Sequence, residues 1–257
     1  MRHEIQVRAR VVSLSPLATR FVVRLGAADR LVGVDAESAQ LPGLRDLPLE
    51  LPVVGLETSA NLAPDLVLVE QADGPRSDRK GMETLSALDA QVIEFQPHDF
   101  EDVWKIYRLV GQPLIGEASA LSLEVEHSRP LALIGGETHG RRRPRVLAVV
   151  GVAPLEIAGG HSFETDLIEL AGATSITHGG DDFRLPATTQ SLAALAPELI
   201  LVMTPHAITQ RERSTLLPRL APIAPVEFIE LDTRLFWLND SVSAARRVQR
   251  VIAASLP

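Results

Sequence analysis

The stretch "LAPDLVLVE", residues 62–70, returns almost word for word as "LAPELILVM", residues 195–203, 133 positions later. In each copy the proline ends the preceding helix, because it lacks a backbone N–H and its ring clashes with the turn before it. The acid that follows opens a run of Leu, Val and Ile without polar alternation, the pattern of a strand buried on both faces. A phrase used twice in this way predicts a duplicated architecture, and other elements should recur at a similar offset.

They do recur. "RVVSLSP" from Arg10 is matched by "RVLAVVG" from Arg145, and "AQVIEF" from Ala90 by "PVEFIEL" from Pro225. The first pair predicts a strand followed by a helix in each half. In the first half Ser15 is the N-cap, Pro16 the first helical residue, Leu17, Phe21 and Leu25 the apolar stripe, and Gly26 the stop. In the second half Ser162 is the cap, Glu164 and Asp166 sit in the positive first turn, and "DLIELAG" stops at Gly172.

Strands alternating with helices imply parallel sheets covered by helices. The expected fold is therefore α/β, with two Rossmann-like lobes over residues 1–97 and 144–257 joined by a helical crossover over 98–143. In the crossover Asp99 should cap a helix whose apolar face carries Val103, Tyr107 and Val110. A second helix should begin near Glu117 with Leu121, Leu123 and Val125 inward, and Pro130 or Gly135–Gly136 should kink or end it. "HGRRRPR" (139–145) reads as a solvated turn.

Composition narrows the function classes. Of 257 residues 46% are hydrophobic and only 4% aromatic, so Leu, Val, Ala and Ile must fill the cores. The net charge of −8 opposes attraction to phosphate backbones, so no nucleic acid is expected as a partner. Cysteine is absent, which removes disulfides, thiol nucleophiles and Cys-ligated zinc. "MRHEIQVRARVVSLSP" lacks the apolar core of a secretory signal and there is no lipid-acceptor Cys. As written the chain is expected in the cytoplasm, or in the periplasm if an upstream signal was omitted. No window reaches the length of a membrane span.

Five phrases in order resemble the helical-backbone substrate-binding proteins of ABC importers, the group that binds cobalamin and ferric siderophores. "RVVSLSPLATRFVVRLGAADRLVGVD" (10–35) resembles that family's first strand, loop and helix, and "APDLVLVE" its second-strand phrase. "DFEDVWKIYRLVGQPLIGEASA" resembles the start of its crossover, "PLEIAGGHSFETDLIELAGATSI" (154–176) the opening of its C-lobe, and "SLAALAPELILV" its closing strand.

The resemblance implies a non-catalytic binder that needs no cofactor and takes a corrinoid or ferric chelate as ligand, in a cleft between the lobes, at loops beyond strand ends. Those loops carry Ser15, Pro16, Asp35, Glu94, Glu156, His161, Phe183, Arg184, Phe236 and Trp237 as candidate contacts. Phe183, Phe236 and Trp237 could stack on a ring, or anchor their own loops. The expected partner is the small ligand, and the protein is expected to be a monomer without membrane insertion.

An ABC permease is the family's other partner. The glutamates with which the family docks on it are missing here: "TSAN" (58–61) leaves little helix before the first copy, and Gln190 stands before the second. Two alternatives follow, a degenerate intracellular homologue acting as a protein-interaction or regulatory module, and an enzyme on a corrinoid or metal chelate using Glu94 and Glu156.

Other chemistry has weaker marks. His161 and Glu164 at a helix start, with "HGGDD" (178–182), could be weighed as a metal site, but the H-E-x-x-H spacing is absent. No phosphate-cradling loop and no G-x-S-x-G turn occurs, and "GGETHG" (135–140) is no dinucleotide fingerprint. The amides of "AGGHS" (158–162) could meet an anionic group at a helix N-terminus.

Overall fold

The computed structural model describes residues 9–45, 51–69, 90–232 and 240–255. Phe236 and Trp237 lie outside the described residues. The chain divides into two units, one of residues 1–97 with 104–124, the other of 98–103 with 125–257. The crossover is thus shared out between the lobes, and the short piece His98–Val103 belongs with the C-lobe.

In the N-lobe, β1 (Val11–Leu14), β2 (Leu31–Val34), β3 (Leu66–Val69) and β4 (Gln91–Glu94) form a four-stranded parallel sheet in the order β2-β1-β3-β4, and α1 (Pro16–Arg24) follows β1. Every residue of β3 is buried, as the first copy of the repeated phrase requires. Ser15 caps α1 by accepting the N–H groups of Leu17 and Ala18, Pro16 opens it, and Gly26 at φ 70° closes it. Phe21 on α1 is fully buried, with Phe95 at 5.4 Å and Tyr107 edge-on at 5.1 Å.

The crossover contains α2 (Phe100–Ile106), a π-helical turn over Tyr107–Gly111, and α3 (Glu117–Glu137). Val103, Tyr107 and Val110 are buried, in agreement with the helical period. The second half of that reading is corrected: Leu121 is 56% and Val125 48% exposed, and α3 buries Ala120, His127, Leu131 and Ile134. Gly111 sets this phase. A Cβ there would sit 3.1 Å from that of Ala120, so the two backbones meet at close range and Ala120 must face inward. Leu121 then points about 100° away. The helix also runs through Pro130 and Gly135–Gly136.

The C-lobe contains β5 (Arg145–Val152), β6 (Leu155–Ala158), α4 (Phe163–Leu170), β7 (Thr174–Ser175), β8 (Arg184–Pro186), α5 (Thr189–Ala194), β9 (Leu199–Thr204), α6 (Gln210–Leu220), β10 (Val226–Glu230) and α7 (Ser241–Ser255). Its sheet runs β10-β9-β5-β6-β8, with β7 beside β5. β10, β9, β5 and β7 are parallel; β6 turns back antiparallel to β5, and β8 is antiparallel to β6. All six residues of β9, the second copy of the repeat, are buried. Leu147, Val149, Ile200 and Val202 form the sheet side of a core completed by Leu192, Leu216 and Leu220.

"HGRRRPR" is a largely exposed turn in which Arg142, Arg143 and Arg145 are engaged. Arg142 pairs with Glu198, Arg143 with Glu169, and the Arg145 guanidinium donates to the Leu195 carbonyl.

Candidate functional site

Each lobe assembles its own share of the candidate residues. In the N-lobe the ends of β1 and β2 lie side by side, with the Asp35 N–H donating to the Ser13 carbonyl at 3.0 Å. Asp35 Oδ1 accepts the N–H groups of Glu37 and Ser38 at 2.9 Å, and its Oδ2 accepts the Ser38 hydroxyl. The buried Thr19 hydroxyl lies 2.9 Å from Ser38 Oγ and 2.8 Å from Ser13 Oγ. Ser15 is completely buried as the α1 cap, so its hydroxyl serves the helix and offers no surface to a ligand. Pro16 and Asp35 are partly accessible, and Glu94 is exposed at the end of β4.

In the C-lobe the edge strands gather Glu156, His161, Phe183 and Arg184. Ala158 pairs with Arg184 across β6 and β8, and the chain continues the pairing beyond the strands, with Gly159 N–H donating to Phe183 O at 2.9 Å and His161 N–H to Asp182 O at 3.0 Å. This close approach needs glycine, since a Cβ at Gly159 would fall 2.0 Å from the Asp182 carbonyl oxygen. Arg184 reaches diagonally to Glu156 at 3.5 Å. Because β6 runs back along β5, Glu156 and His161 stand toward opposite ends of this edge.

His161 meets the start of α2, where Asp99 is the expected cap. Its Nε2 is 2.9 Å from Asp102 Oδ2 and its Nδ1 3.3 Å from Asp99 Oδ2. The His98 ring stacks on Phe183 at 4.3 Å, and Phe183 remains 41% exposed. Asp99 caps α2 by accepting the Asp102 N–H at 2.7 Å, and Asp102 reaches back to the His98 N–H at 3.2 Å. The signal for this was present in "HDFED", 98–102, a reciprocal capping pattern with a histidine in front.

Across from it, Ser162 caps α4 and Asp166 in the first turn accepts the Phe100 N–H at 2.8 Å. Burial raises the Asp166 carboxyl to about 7, against the Phe100 N–H, which favours the charged form, and with the Asp99 charge adding to the rise. Burial likewise pushes the Glu164 carboxyl up, opposed by its own backbone N–H and the charge of Arg184.

Among the described residues, Asp99, Asp102 and His161 are the group whose ligand atoms come within 4.8 Å of one another. The ring and the two carboxylates contact one another directly. Each ring nitrogen faces a different carboxylate, whereas one ion would take one nitrogen, and both carboxylates are already committed at a positive helix end.

A profile described as periplasmic binding protein matches residues 11–219. The chain belongs to this family, in its cobalamin and siderophore type. It is a family of binding proteins, not enzymes. The vitamin B12-binding protein of Yersinia pestis (strain Pestoides F) is 24% identical over 244 residues, 91% of this chain and 81% of that protein.

Among solved structures, a periplasmic heme binding protein from Pseudomonas aeruginosa superposes with a TM-score of 0.66 at 22% identity, covering 98% of this chain and 95% of the other. An ABC transporter substrate-binding protein from Listeria monocytogenes gives 0.70 at 17%, with 95% and 98% covered. The periplasmic vitamin B12 binding protein of Vibrio cholerae gives 0.64 at 14%, with 96% and 97% covered. These confirm the two-lobed α/β fold expected from the repeat. Among the described residues no helix is long and apolar enough to cross a membrane.

Proposed function

We propose that this member of the periplasmic binding protein family captures a planar metal chelate, of the corrinoid or iron-porphyrin kind, or a ferric siderophore. The observation that carries the reading is the match to vitamin B12-binding relatives along 91% of the chain. Phe183 supports it locally. A 41% exposed phenyl ring, already stacked on an imidazole and braced by a glycine-dependent strand contact, presents a flat apolar face suited to a macrocycle. Pro16, Asp35, Glu94, Glu156 and Arg184 are the accessible polar and loop positions proposed to meet the ligand's edge.

Docking on a permease is proposed to be weak. Gln190 is exposed in the first turn of α5, and a neutral amide makes no ion pair with an arginine.

Titration with aquacobalamin, cyanocobalamin, cobinamide, hemin and ferric siderophores, followed by tryptophan quenching and calorimetry, tests the ligand class. Saturable 1:1 binding of one of them at micromolar concentration is expected. Absence of binding to all of them at tens of micromolar would reject it.

A further inference from the structure

The start of the crossover is held on the C-lobe by a contact that makes a demand on charge. His98–Val103 follows directly on the N-lobe chain, yet it is fixed to the first turn of α4 by three links. The Phe100 N–H donates to Asp166, Phe100 packs edge-on against Phe163 at 5.2 Å, and His161 spans Asp99 and Asp102. A neutral imidazole carries a single N–H, and its other nitrogen is a lone pair. With Nδ1 facing one carboxylate and Nε2 another, a neutral ring would set a lone pair against a carboxylate oxygen. Only the imidazolium presents an N–H to each, as a hydrogen bond to Asp102 and an ion-pair contact at 3.3 Å to Asp99.

We propose that His161 is a proton-operated clasp, closed as imidazolium across Asp99 and Asp102 and opened when the ring loses its second proton. Opening removes one of the three links, loosening His98–Val103 on the α4 turn while the two Phe100 links stay, and frees one ring nitrogen. While closed, both nitrogens are occupied, so His161 acts as a positioning residue for the crossover and is not a ligand contact.

The charges around the ring suit this role. From the crossover side it faces Asp99 and Asp102, with the His98 ring centred 6.0 Å away; from the α4 side, the Asp166 carboxyl; and ahead of β8 its backbone N–H holds the Asp182 carbonyl. The proposal is independent of which ligand the protein takes.

Amide hydrogen exchange of residues 98–106, corrected for intrinsic rates, tests it at about pH 6 and about pH 8.5. In the wild type, protection is expected to drop at least about tenfold at the higher pH, while β9 amides stay protected at both. His161→Gln keeps one N–H but no charge, and should give low protection at both pH values. Asp166→Asn should keep the drop, since Asp166 is not the switch.

Equal wild-type protection at the two pH values would overturn the proposal. So would wild-type protection in His161→Gln, or a transition that disappears in Asp166→Asn and persists in His161→Gln. Protection removed by EDTA, or restored at the higher pH by Zn2+, would assign the clasp to a metal and overturn it too. If His161→Gln loses β9 protection as well, it has unfolded. The wild-type His161 ring proton resonance then decides, and it must titrate together with the amides of Asp99 and Asp102.

Discussion

Asp65 accepts the backbone N–H of Arg10 at 2.7 Å, and the same bond is made in the other lobe by Glu198 with Arg145 at 3.0 Å. The correspondence extends to the side chains. The Arg10 guanidinium donates to the Leu62 carbonyl and that of Arg145 to the Leu195 carbonyl, both at 2.8 Å. The acid after Leu-Ala-Pro is therefore a register pin. It ties the start of the repeated strand to the start of the lobe's opening strand, where β1 meets β3 and β5 meets β9.

Removing the pin should cost its own lobe. The Glu198 carboxyl is held below the ordinary carboxylate range by the Arg145 N–H and by Arg142. A depressed folded-state value means its contribution is present above the unfolded value and fades as pH falls through the folded one. Glu198→Gln is expected to lower stability by about 1 kcal/mol at neutral pH, a drop in Tm of about 2–4 °C. The difference from wild type should shrink in melts below about pH 4. A constant difference across pH would show that the charge is irrelevant.

The same phrase stores a small strain. Ala63 and Ala196, the alanines of the two Leu-Ala-Pro copies, sit at φ 42° and 46°, the left-handed region where a Cβ is crowded. Each ends its helix in the position usually given to glycine. Ala196→Gly is expected to stabilise the C-lobe by about 0.5–1 kcal/mol, read as a higher denaturant midpoint with an unchanged slope. Gly172 is the converse. At φ 88°, with a Cβ destined to fall 2.5 Å from the Thr138 side chain, Gly172→Ala should destabilise by about 2 kcal/mol or more.

These pairs show how much of the fold was legible. Leu-Ala-Pro-acid and the arginine that opens each half were visible in the sequence, and they located both sheets before any coordinate was known. The phase of α3 was not. Leu121 and Val125 fit a helical stripe as well as Ala120, His127 and Leu131 do, and the choice is made by a backbone approach at Gly111 that no local period encodes. At the site, Ser15 was legible as a cap and its burial followed from that role. His161 and Phe183 were found as loop residues, but Asp102, Asp166 and His98 were not. Their grouping depends on where the crossover lies against α4, a long-range fact.

Asp166 should govern a pH trend in stability. Its carboxyl is raised from 3.8 to about 7, so the folded state binds the proton more tightly than the unfolded chain. The sign follows: stability falls as pH rises across that window, and the full penalty applies above it. A shift of this size is at most about 4 kcal/mol, and partial solvent access reduces it to about 2. Asp166→Asn keeps an acceptor for the Phe100 N–H and removes the charge. It should be more stable than wild type by about 2 kcal/mol at pH 8 and equal to it near pH 4, by denaturant unfolding at both values.

Phe183 is the residue on which ligand capture should turn. Its ring is exposed on one side and rests on His98 on the other, so truncation removes a stacking face without opening the core. A ring-to-ring contact with a macrocycle contributes about 0.5–1.5 kcal/mol beyond the area it buries, and that area adds a similar amount. Phe183→Ala is therefore expected to weaken binding of the chelate found by titration about tenfold or more, with Tm shifted by less than about 2 °C. Phe183→Tyr should restore affinity to within about threefold, since the π face is kept. Unchanged affinity in Phe183→Ala would move the ligand away from the β6–β8 edge, and leave the N-lobe positions Pro16, Asp35 and Glu94 to be tested in its place.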